Sequence, residues 1–213
     1  NLSCHFSTND GEWVYRHPGV GTELLIDRAA EKTALETART LGLENSFVFE
    51  NPRRGWKISK FIPDCKNLDP KNDAQLQKAM TMARQLHESD ATVERRFSFY
   101  DEGKGYERSL LARGPIDVTD WADMEAQATE LHKLLEAESS ELVLCHNDFF
   151  SLNFLVEDNG NVSLIDWEYA GMSDYANDFG TFCVCEQLDE EEMHRALTHY
   201  FGRTPTDAEW RHN

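Results

Sequence analysis

The chain has 213 residues, of which 40% are hydrophobic and 28% charged, and its formal net charge at pH 7 is -18. This length is sufficient for a sizeable core in one domain or two lobes. The acidity argues against nucleic acid as a partner, because neutralising its phosphates needs a basic face. ATP is not excluded, since it needs only local positive charge and Mg²⁺. An acidic protein also suits a cationic substrate, although the charge equally serves solubility.

The sequence has no apolar run of membrane-spanning length, and no secretory signal is visible in it. Its five cysteines are an odd number, which indicates reduced thiols rather than a disulfide framework. Cys183 and Cys185 lack a second pair at metal-binding spacing, so we interpret both as small core residues. We therefore predict a cytoplasmic protein without a membrane partner.

The first third of the chain is predicted to form a small sheet and one helix. Strands are predicted at residues 12–16, 46–50 and 56–62. Thr22 is the candidate N-cap of a helix that ends near Leu41, where Gly42 stops it. Residues 61–63 then break the pattern, and we predict that they form a hinge between two lobes.

A strongly amphipathic helix is predicted directly after the hinge. It covers residues 73–86, and Asp73 is its candidate cap. Its apolar stripe consists of Leu76, Met80, Ala83 and Leu86. His87 follows the helix and is interpreted as a capping or surface residue.

The remaining chain is predicted to be irregular at first and then mainly helical around the central hairpins. Residues 88–104 are polar and are predicted to lack regular structure. A second strong helix is predicted at residues 121–135, and its expected buried face consists of Leu131, Leu134 and Leu135. Two further helices are predicted near residues 174–187 and 190–202.

The most informative pattern lies between residues 143 and 166. An apolar strand leads into a polar loop that carries His146-x-Asp148 and then Asn153. A later apolar strand ends at Asp166. The Asn-Gly pair at residues 159–160 joins the strands in a tight hairpin, because both residues tolerate positive φ. We therefore expect the Asp148, Asn153 and Asp166 side chains to converge at one mouth.

This convergent set matches the needs of phosphoryl transfer from a nucleotide. One carboxylate orients and deprotonates the attacking hydroxyl, while an Asn and a second carboxylate hold Mg²⁺. Mg²⁺ prefers oxygen ligands and keeps some water, so two protein ligands suffice. We assign Asp148 as the base, and Asn153 and Asp166 as metal ligands. The alternative is a hairpin with a polar turn and a solvated Asp, which a lone His-x-Asp would favour.

The same residues carry a resemblance to a known family. Cys-His-Asn-Asp at residues 145–148, with Asn153 and then Ile-Asp-Trp-Glu-Tyr-Ala at residues 165–170, resembles the choline/ethanolamine kinases, in particular their bacterial choline-kinase branch. That family shares the protein-kinase-like fold with aminoglycoside phosphotransferases, which usually have His-Gly-Asp. The resemblance implies a two-lobed α+β fold. A small antiparallel-sheet nucleotide lobe is expected over residues 1–62, and a larger, mainly helical catalytic lobe over residues 63–213.

The resemblance also implies a nucleotide site in the small lobe. A basic strand residue, matched here by Arg16, would grip the phosphates and pair with the helix residue Glu31. Arg suits both tasks because its guanidinium is a planar fork of donors. A surface Arg and a solvated Glu are the alternative that spacing alone favours. Adenine is expected at the hinge, with backbone hydrogen bonds from Lys60, Phe61 and Ile62.

The implied reaction transfers the γ-phosphoryl group of ATP, with Mg²⁺, to the primary hydroxyl of choline or a similar amino alcohol. A quaternary ammonium cannot donate a hydrogen bond, so aromatic faces and a carboxylate hold it best. The candidates are Trp167, Tyr169, Tyr175 and Glu186, each of which could equally be packing or surface. Alternatives are a kinase of the same fold for an aminoglycoside, a sugar or homoserine, and a non-catalytic kinase-like binding module.

A further aspartate lies in Asp-Phe-Gly at residues 178–180, which spells the metal-binding tripeptide of protein kinases. No apolar strand precedes it, and its neighbours look like the entry to a buried helix. We therefore interpret Asp178 as structural, either as a helix cap or as an acceptor for the backbone of the catalytic loop.

The family pattern extends beyond both ends of this sequence. It includes a glycine-containing turn over the phosphates, before the position of Asn1, and an aromatic-rich helix after the position of Asn213. We therefore expect that a piece is missing at each end. The resemblance also leaves open a fusion to a nucleotidyltransferase domain, as occurs in relatives.

Overall fold

The computed structural model describes residues 1–137 and 141–213. An antiparallel sheet comes first in this part of the chain, and its strands follow the spatial order β1-β2-β4-β3. The strands are β1 (Leu2–Thr8), β2 (Gly11–His17), β3 (Phe47–Asn51) and β4 (Trp56–Lys60). The sequence did not predict β1, which is an edge strand whose residues are all exposed.

The register of the sheet lines up three charged residues. Lys57 on β4 lies opposite Arg16 of β2 on one side and opposite Glu50 of β3 on the other. Directly opposed residues in an antiparallel pair point to the same face. The side chains of Arg16, Lys57 and Glu50 therefore form a row across one face of the sheet.

Helix α1 (Arg28–Leu41) begins later than predicted. Thr22 opens only a single 3₁₀ turn, Thr22–Leu24. The N-cap of α1 is Asp27, whose side chain accepts hydrogen bonds from the backbone of Ala29 and Ala30, each at 3.0 Å. The predicted stop is confirmed, because Gly42 ends the helix with a φ of 73°.

The rest of the described chain is mainly helical, with two small two-stranded sheets. Its helices are α2 (Asp73–His87), α3 (Phe99–Leu111), α4 (Trp121–Ala137), α5 (Ala176–Glu186), α6 (Glu190–Phe201) and α7 (Asp207–His212). Its strands are β5 (Val143–Cys145), β6 (Phe154–Val156), β7 (Val162–Leu164) and β8 (Gly171–Ser173). Strand β5 pairs with β8, and β6 pairs with β7, both antiparallel. The predicted small sheet and larger helical part are confirmed.

A contiguous apolar core joins α1, α2 and the central hairpins. The stripe predicted on α2 is confirmed, since all of its members are buried: Leu76, Met80, Ala83 and Leu86. Large side chains from the hairpin region complete the core, and the fully buried ones include Phe149, Phe154, Leu164 and Trp167. The polar loop between β5 and β6 is therefore anchored in the packed apolar core.

Three predictions about the helical part are wrong. The expected buried face of α4 is uncovered among the described residues, where Leu131, Leu134 and Leu135 are 61%, 66% and 63% exposed. Helix α3 occupies part of the stretch predicted as irregular. It contains Gly103 and Gly105, and glycine has a low helix propensity. The cap of α2 is Asn72 rather than Asp73, since its side chain accepts from the backbone of residues 74 and 75.

Across residues 1–137 and 141–213, no helix combines the length and apolar character needed to cross a membrane. The five cysteines are all free thiols. Cys183 is buried as predicted, whereas Cys185 is exposed. The predicted cytoplasmic location remains a prediction.

Candidate active site

The loop between β5 and β6 carries Asp148 and Asn153 next to each other. The Asn153 side-chain nitrogen donates to the Asp148 backbone oxygen at 2.8 Å and to Asp148 Oδ2 at 2.9 Å. The backbone N–H of Ile165 donates to the Asn153 backbone oxygen at 2.8 Å. That bond places the end of β7, and with it Asp166, beside the loop. The structure thus brings together the three residues that the sequence assigned to base and metal ligands.

Asn147 fixes the shape of this loop, a role that the sequence analysis missed. Its φ is 63°, in the left-handed region that Asn tolerates better than most residues. Its side-chain nitrogen donates to the Tyr169 backbone oxygen at 3.2 Å, and its Oδ1 accepts from Ser173 Oγ at 2.7 Å. The signal was available, because aminoglycoside phosphotransferases usually have Gly here and Gly suits the same conformation.

Asp178 of α5 is fully buried and binds the backbone of the same loop. It accepts hydrogen bonds from the backbone of His146 at 2.9 Å and of Asn147 at 2.6 Å. His87 Nε2 also donates to it at 3.0 Å, while His87 Nδ1 bonds the Tyr200 hydroxyl at 2.9 Å. The prediction that Asp178 bonds the loop backbone is confirmed. His87 was interpreted as a capping or surface residue, and the surface alternative is wrong because the side chain is buried.

Asp178 also belongs to a buried group with metal-ligand chemistry. Among the described residues, ligand atoms of His87, Cys145 and Asp178 lie within 4.8 Å of one another. Three donors already occupy the Asp178 carboxylate, however, and burial raises the pKa of the Cys145 thiol well above its ordinary value. A protonated thiol is a poor metal ligand. The group therefore supports the loop rather than forming a metal site.

Asp178→Asn is expected to lower the free energy of unfolding by about 1–3 kcal/mol, because a buried carboxylate acceptor is lost. Thermal unfolding followed by circular dichroism would measure the change. Asp158→Asn is the matched control, since the Asp158 side chain lies in the β6–β7 turn and is 79% exposed. Unchanged stability together with lost Mg²⁺ dependence would show that Asp178 is the metal ligand instead.

The two aspartates at the mouth differ in their electrostatics. Burial raises the pKa of Asp148, and the nearby Asp166 and Asp178 charges add to this, while the Asn153 hydrogen bond partly opposes it. Burial would also raise the pKa of Asp166, but the charges of Arg16 and Lys57 outweigh it and hold that pKa below its ordinary value. Asp166 therefore stays ionised, as a cation ligand requires. Asp148 is the better base of the two.

The predicted ion pair between Arg16 and Glu31 is wrong. Glu31 is fully buried and accepts instead from Lys57 Nζ at 2.6 Å and from Arg28 Nη1 at 2.6 Å. Arg16 turns to the other lobe, where Nη1 donates to Asp166 Oδ1 at 2.7 Å and Nη2 to Glu168 Oε2 at 3.5 Å. The register of β2 and β4 places Arg16 and Lys57 side by side, and it is Lys57 that pairs with Glu31 of the helix.

Two of the three hinge residues predicted to bind adenine use their backbone amides elsewhere. The backbone N–H of Lys60 donates to the Ser46 oxygen at 2.7 Å, and that of Phe61 donates to the Glu12 oxygen at 3.0 Å. The amides of Lys60 and Phe61 are therefore engaged within the protein, and the predicted adenine contacts stay a prediction. A nucleotide bound at the hinge would use the amide of Ile62 or the hinge carbonyls.

Two of the predicted substrate contacts pack in or against the core. Trp167 is fully buried, and its indole N–H donates to the Leu164 backbone oxygen at 2.8 Å. The Tyr175 ring stacks on Tyr200 with centroids 5.6 Å apart, and its hydroxyl accepts from Asn213 at 3.1 Å. Trp167 is committed to packing, so the prediction that it contacts the substrate is wrong. Tyr175 is only half-buried, and its predicted contact with the substrate stays a prediction.

The other two predicted substrate contacts border the catalytic loop. Glu186 Oε1 accepts from the Ser151 backbone N–H at 2.7 Å, within that loop. The Tyr169 hydroxyl bonds the Tyr106 hydroxyl of α3 at 3.2 Å, and the Arg95 guanidinium lies 5.9 Å from the Tyr169 ring centroid. Tyr169 and Glu186 therefore stay candidates for the lining of the site.

Comparison with known proteins places this geometry in a family. The model of the phosphotransferase enzyme family matches residues 4–211 of the chain. The chain belongs to the phosphotransferase enzyme family. The predicted resemblance to choline/ethanolamine kinases, within this larger family, is confirmed by the relatives that follow.

The phosphotransferase is similar to Protein LicA of Haemophilus influenzae (strain ATCC 51907 / DSM 11121 / KW20 / Rd), with 25% identity over 198 residues, 91% of this chain and 73% of LicA. It is 38% identical over 212 residues to ethanolamine kinase 1 of Mus musculus, which covers 88% of this chain. The chain spans only 56% of that relative's length.

Solved structures support the same fold. The crystal structure of choline kinase LicA from Streptococcus pneumoniae superposes with a TM-score of 0.84 at 26% identity, covering 96% of this chain and 71% of that one. A crystal structure of LicA in complex with AMP gives the same TM-score and identity, covering 97% and 70%. The predicted kinase-like fold is confirmed.

The residues of the phosphotransferase fit a magnesium ion. The Asn153 nitrogen is used in bonds to Asp148, so its amide oxygen is the atom that can face a cation. Asp166 is ionised and adjacent to Asn153. Amide and carboxylate oxygens are hard ligands of the kind that Mg²⁺ takes alongside water and phosphate oxygens.

Glu50 is an unusual carboxyl in the phosphotransferase's charged row. It is 1% exposed, and neither carboxyl oxygen has a hydrogen-bond partner among the described residues. Burial, followed by the charge of Glu31, raises its pKa from 4.5 to about 8. Between pH 4.5 and about pH 8 the folded protein thus keeps a proton on Glu50 that the unfolded chain has lost. The stability that this proton provides is present below pH 4.5 and is lost as the pH rises to about 8.

Glu50→Gln is therefore expected to raise the melting temperature relative to wild type above about pH 8, with the difference shrinking towards pH 4.5. Scanning calorimetry over this range would measure both proteins. Glu12→Gln is the control, because the Glu12 side chain is 52% exposed. A difference between Glu50→Gln and wild type that is constant with pH would show that Glu50 does not titrate in this way.

Proposed function

We propose that the chain transfers the γ-phosphoryl group of ATP to the hydroxyl of choline or a related amino alcohol. The observation that carries the proposal is the cluster of Asp148, Asn153 and Asp166, in which a carboxylate of raised pKa adjoins an oxygen pair suited to Mg²⁺. Similarity to a choline kinase and to an ethanolamine kinase supports the substrate class. The AMP complex of LicA supports nucleotide binding.

In the proposed reaction Asp148 accepts the proton of the substrate hydroxyl. The hydroxyl oxygen forms a bond to the γ-phosphorus, and the bond from that phosphorus to the bridging oxygen of ADP breaks. Mg²⁺ held by Asn153 and Asp166 would neutralise charge on the phosphate oxygens. Arg16, whose side chain is 24% exposed, would turn from Asp166 towards the α- and β-phosphates. Positioning and charge stabilisation supply most of the rate.

The surroundings of Asp148 suit a cationic alcohol. The Tyr169 ring and the Glu186 carboxylate border the loop, and the chain as a whole has a net charge of -18. An aromatic face can bind a trimethylammonium group at about 0.5–2 kcal/mol per contact. The proposed partners are therefore Mg·ATP and a small amino alcohol. The division into lobes at residues 62 and 63 is part of this proposal.

A substrate panel tests the proposal. Choline, ethanolamine, homoserine, a hexose and an aminoglycoside would each be assayed with Mg·ATP by coupled ADP detection. We expect choline or ethanolamine to give the highest kcat/KM. A preference for one of the other alcohols would identify a different small-molecule kinase of this fold. Binding of Mg·ATP without turnover of any alcohol would favour a non-catalytic binding module.

A further inference from the structure

Lys57 lies where the small sheet meets the catalytic hairpins. Its side chain is only 10% exposed, and Nζ lies 2.6 Å from Glu31 Oε1 and 3.9 Å from Asp166 Oδ1. A buried ammonium is costly unless opposite charges surround it. Here it links a helix of the small lobe to the predicted metal ligand. Nothing in the sequence distinguished this lysine from a surface residue.

Arg16 approaches the same carboxylate oxygen from the neighbouring strand. Its Nη1 is 2.7 Å from Asp166 Oδ1, and its side chain is 24% exposed. A divalent cation at Asp166 would compete with this guanidinium for the oxygen. Arg16 is the more exposed of the two cations, while Lys57 is held by its short bond to Glu31. Arrival of the metal would therefore displace Arg16 and leave Lys57 in place.

We propose that Lys57 is a positioning residue of the nucleotide site, acting through Glu31 and Asp166. Arg16, relieved of pairing with the helix, exchanges Asp166 for the nucleotide phosphates. Two adjacent cations thus share the tasks that the family resemblance assigned to Arg16 alone. The inference rests on the proposed use of Mg·ATP, but not on the identity of the alcohol.

The test of Lys57 must separate positioning from folding. Lys57→Met alone would leave the buried Glu31 with Arg28 as its remaining close cation, and this loss of charge balance could unfold the protein. The double variant Lys57→Met/Glu31→Gln removes one positive and one negative charge together, so the balance is kept. Glu31→Gln alone and Lys57→Arg complete the set.

The measurements are the melting temperature and the dissociation constant of Mg²⁺ with a non-hydrolysable ATP analogue, obtained by calorimetry. We expect the double variant to melt close to Glu31→Gln but to bind Mg²⁺ with the ATP analogue about tenfold more weakly, because the ammonium that positions the Asp166 carboxylate is gone. Lys57→Arg should restore most of the affinity. Equal affinity for the double variant and Glu31→Gln would overturn the proposal and make Lys57 purely structural.

The proposed exchange by Arg16 has its own signature. Arg16→Met should tighten the binding of Mn²⁺ alone, used as a probe for Mg²⁺, because the competing guanidinium is absent. The same variant should weaken the binding of Mn²⁺ with the ATP analogue, because a phosphate donor is lost. Electron paramagnetic resonance of free Mn²⁺ would follow both. Weakening of both would overturn the exchange.

These outcomes are independent of the proposed substrate. If the wild type bound Mg²⁺ with the ATP analogue but phosphorylated no alcohol, the proposed function would fail. The ratios of dissociation constants would still decide the role of Lys57.

Discussion

Replacing Asp148 by Asn is expected to lower kcat by about 10²–10⁴-fold, the range for loss of a general base. Asn has nearly the same shape but cannot take the proton of the hydroxyl. The bond from the Asn153 side chain to the Asp148 backbone oxygen does not depend on the carboxylate, so the loop should keep its form. Steady-state kinetics with choline or ethanolamine would measure the loss.

The same variant should bind Mg·ATP almost as well as wild type, because Asp148 is not one of the assigned metal ligands. Calorimetric titration with the nucleotide would measure this affinity beside kcat. Asp158→Asn, in the exposed turn between β6 and β7, is the matched control and should behave as wild type. Wild-type turnover in Asp148→Asn would contradict the assignment of the base.

Replacing Asp166 by Ala is expected to abolish turnover in a different way. The variant loses one of the two protein oxygens proposed for Mg²⁺, so the gain in nucleotide affinity that Mg²⁺ provides should largely disappear. Without Mg²⁺ the variant should bind ATP at least as well as wild type. Arg16 would then no longer be held at 2.7 Å by the Asp166 carboxylate.

The decisive comparison for Asp166 is the ATP dissociation constant with Mg²⁺ and with a chelator, measured for wild type and variant. A melting curve of each protein would show that the variant is folded. Equal affinity of the two proteins for Mg·ATP would rule out Asp166 as a metal ligand.

Features decided by neighbouring residues were predictable from the sequence. The hairpin that brings Asp166 back to the catalytic loop depends on the Asn-Gly turn at residues 159–160, where Gly160 has a φ of 86°. The end of α1 depends on Gly42, and the buried stripe of α2 follows the helical period. Each of these features depends only on the residues of one element and of the turn next to it.

Features that depend on how separate elements meet were not predictable. Glu31 pairs with Lys57 rather than Arg16, because the register of β2 and β4 sets two cations side by side and only the tertiary fold selects between them. Trp167 follows a predicted metal ligand directly, yet the chain turns there and buries its ring. The apolar residues of α4 have a helical period, which shows a face but not what covers it.

We propose that this site transfers a phosphoryl group to an amino alcohol. Phosphorus NMR of the protein with Mg·ATP and choline, and separately with ethanolamine, tests it most directly. We expect a new phosphomonoester resonance that grows in equal amount with ADP, requires the alcohol, and is absent with Asp148→Asn. Unchanged ATP with both alcohols, or ADP and inorganic phosphate formed equally with and without alcohol, would contradict it.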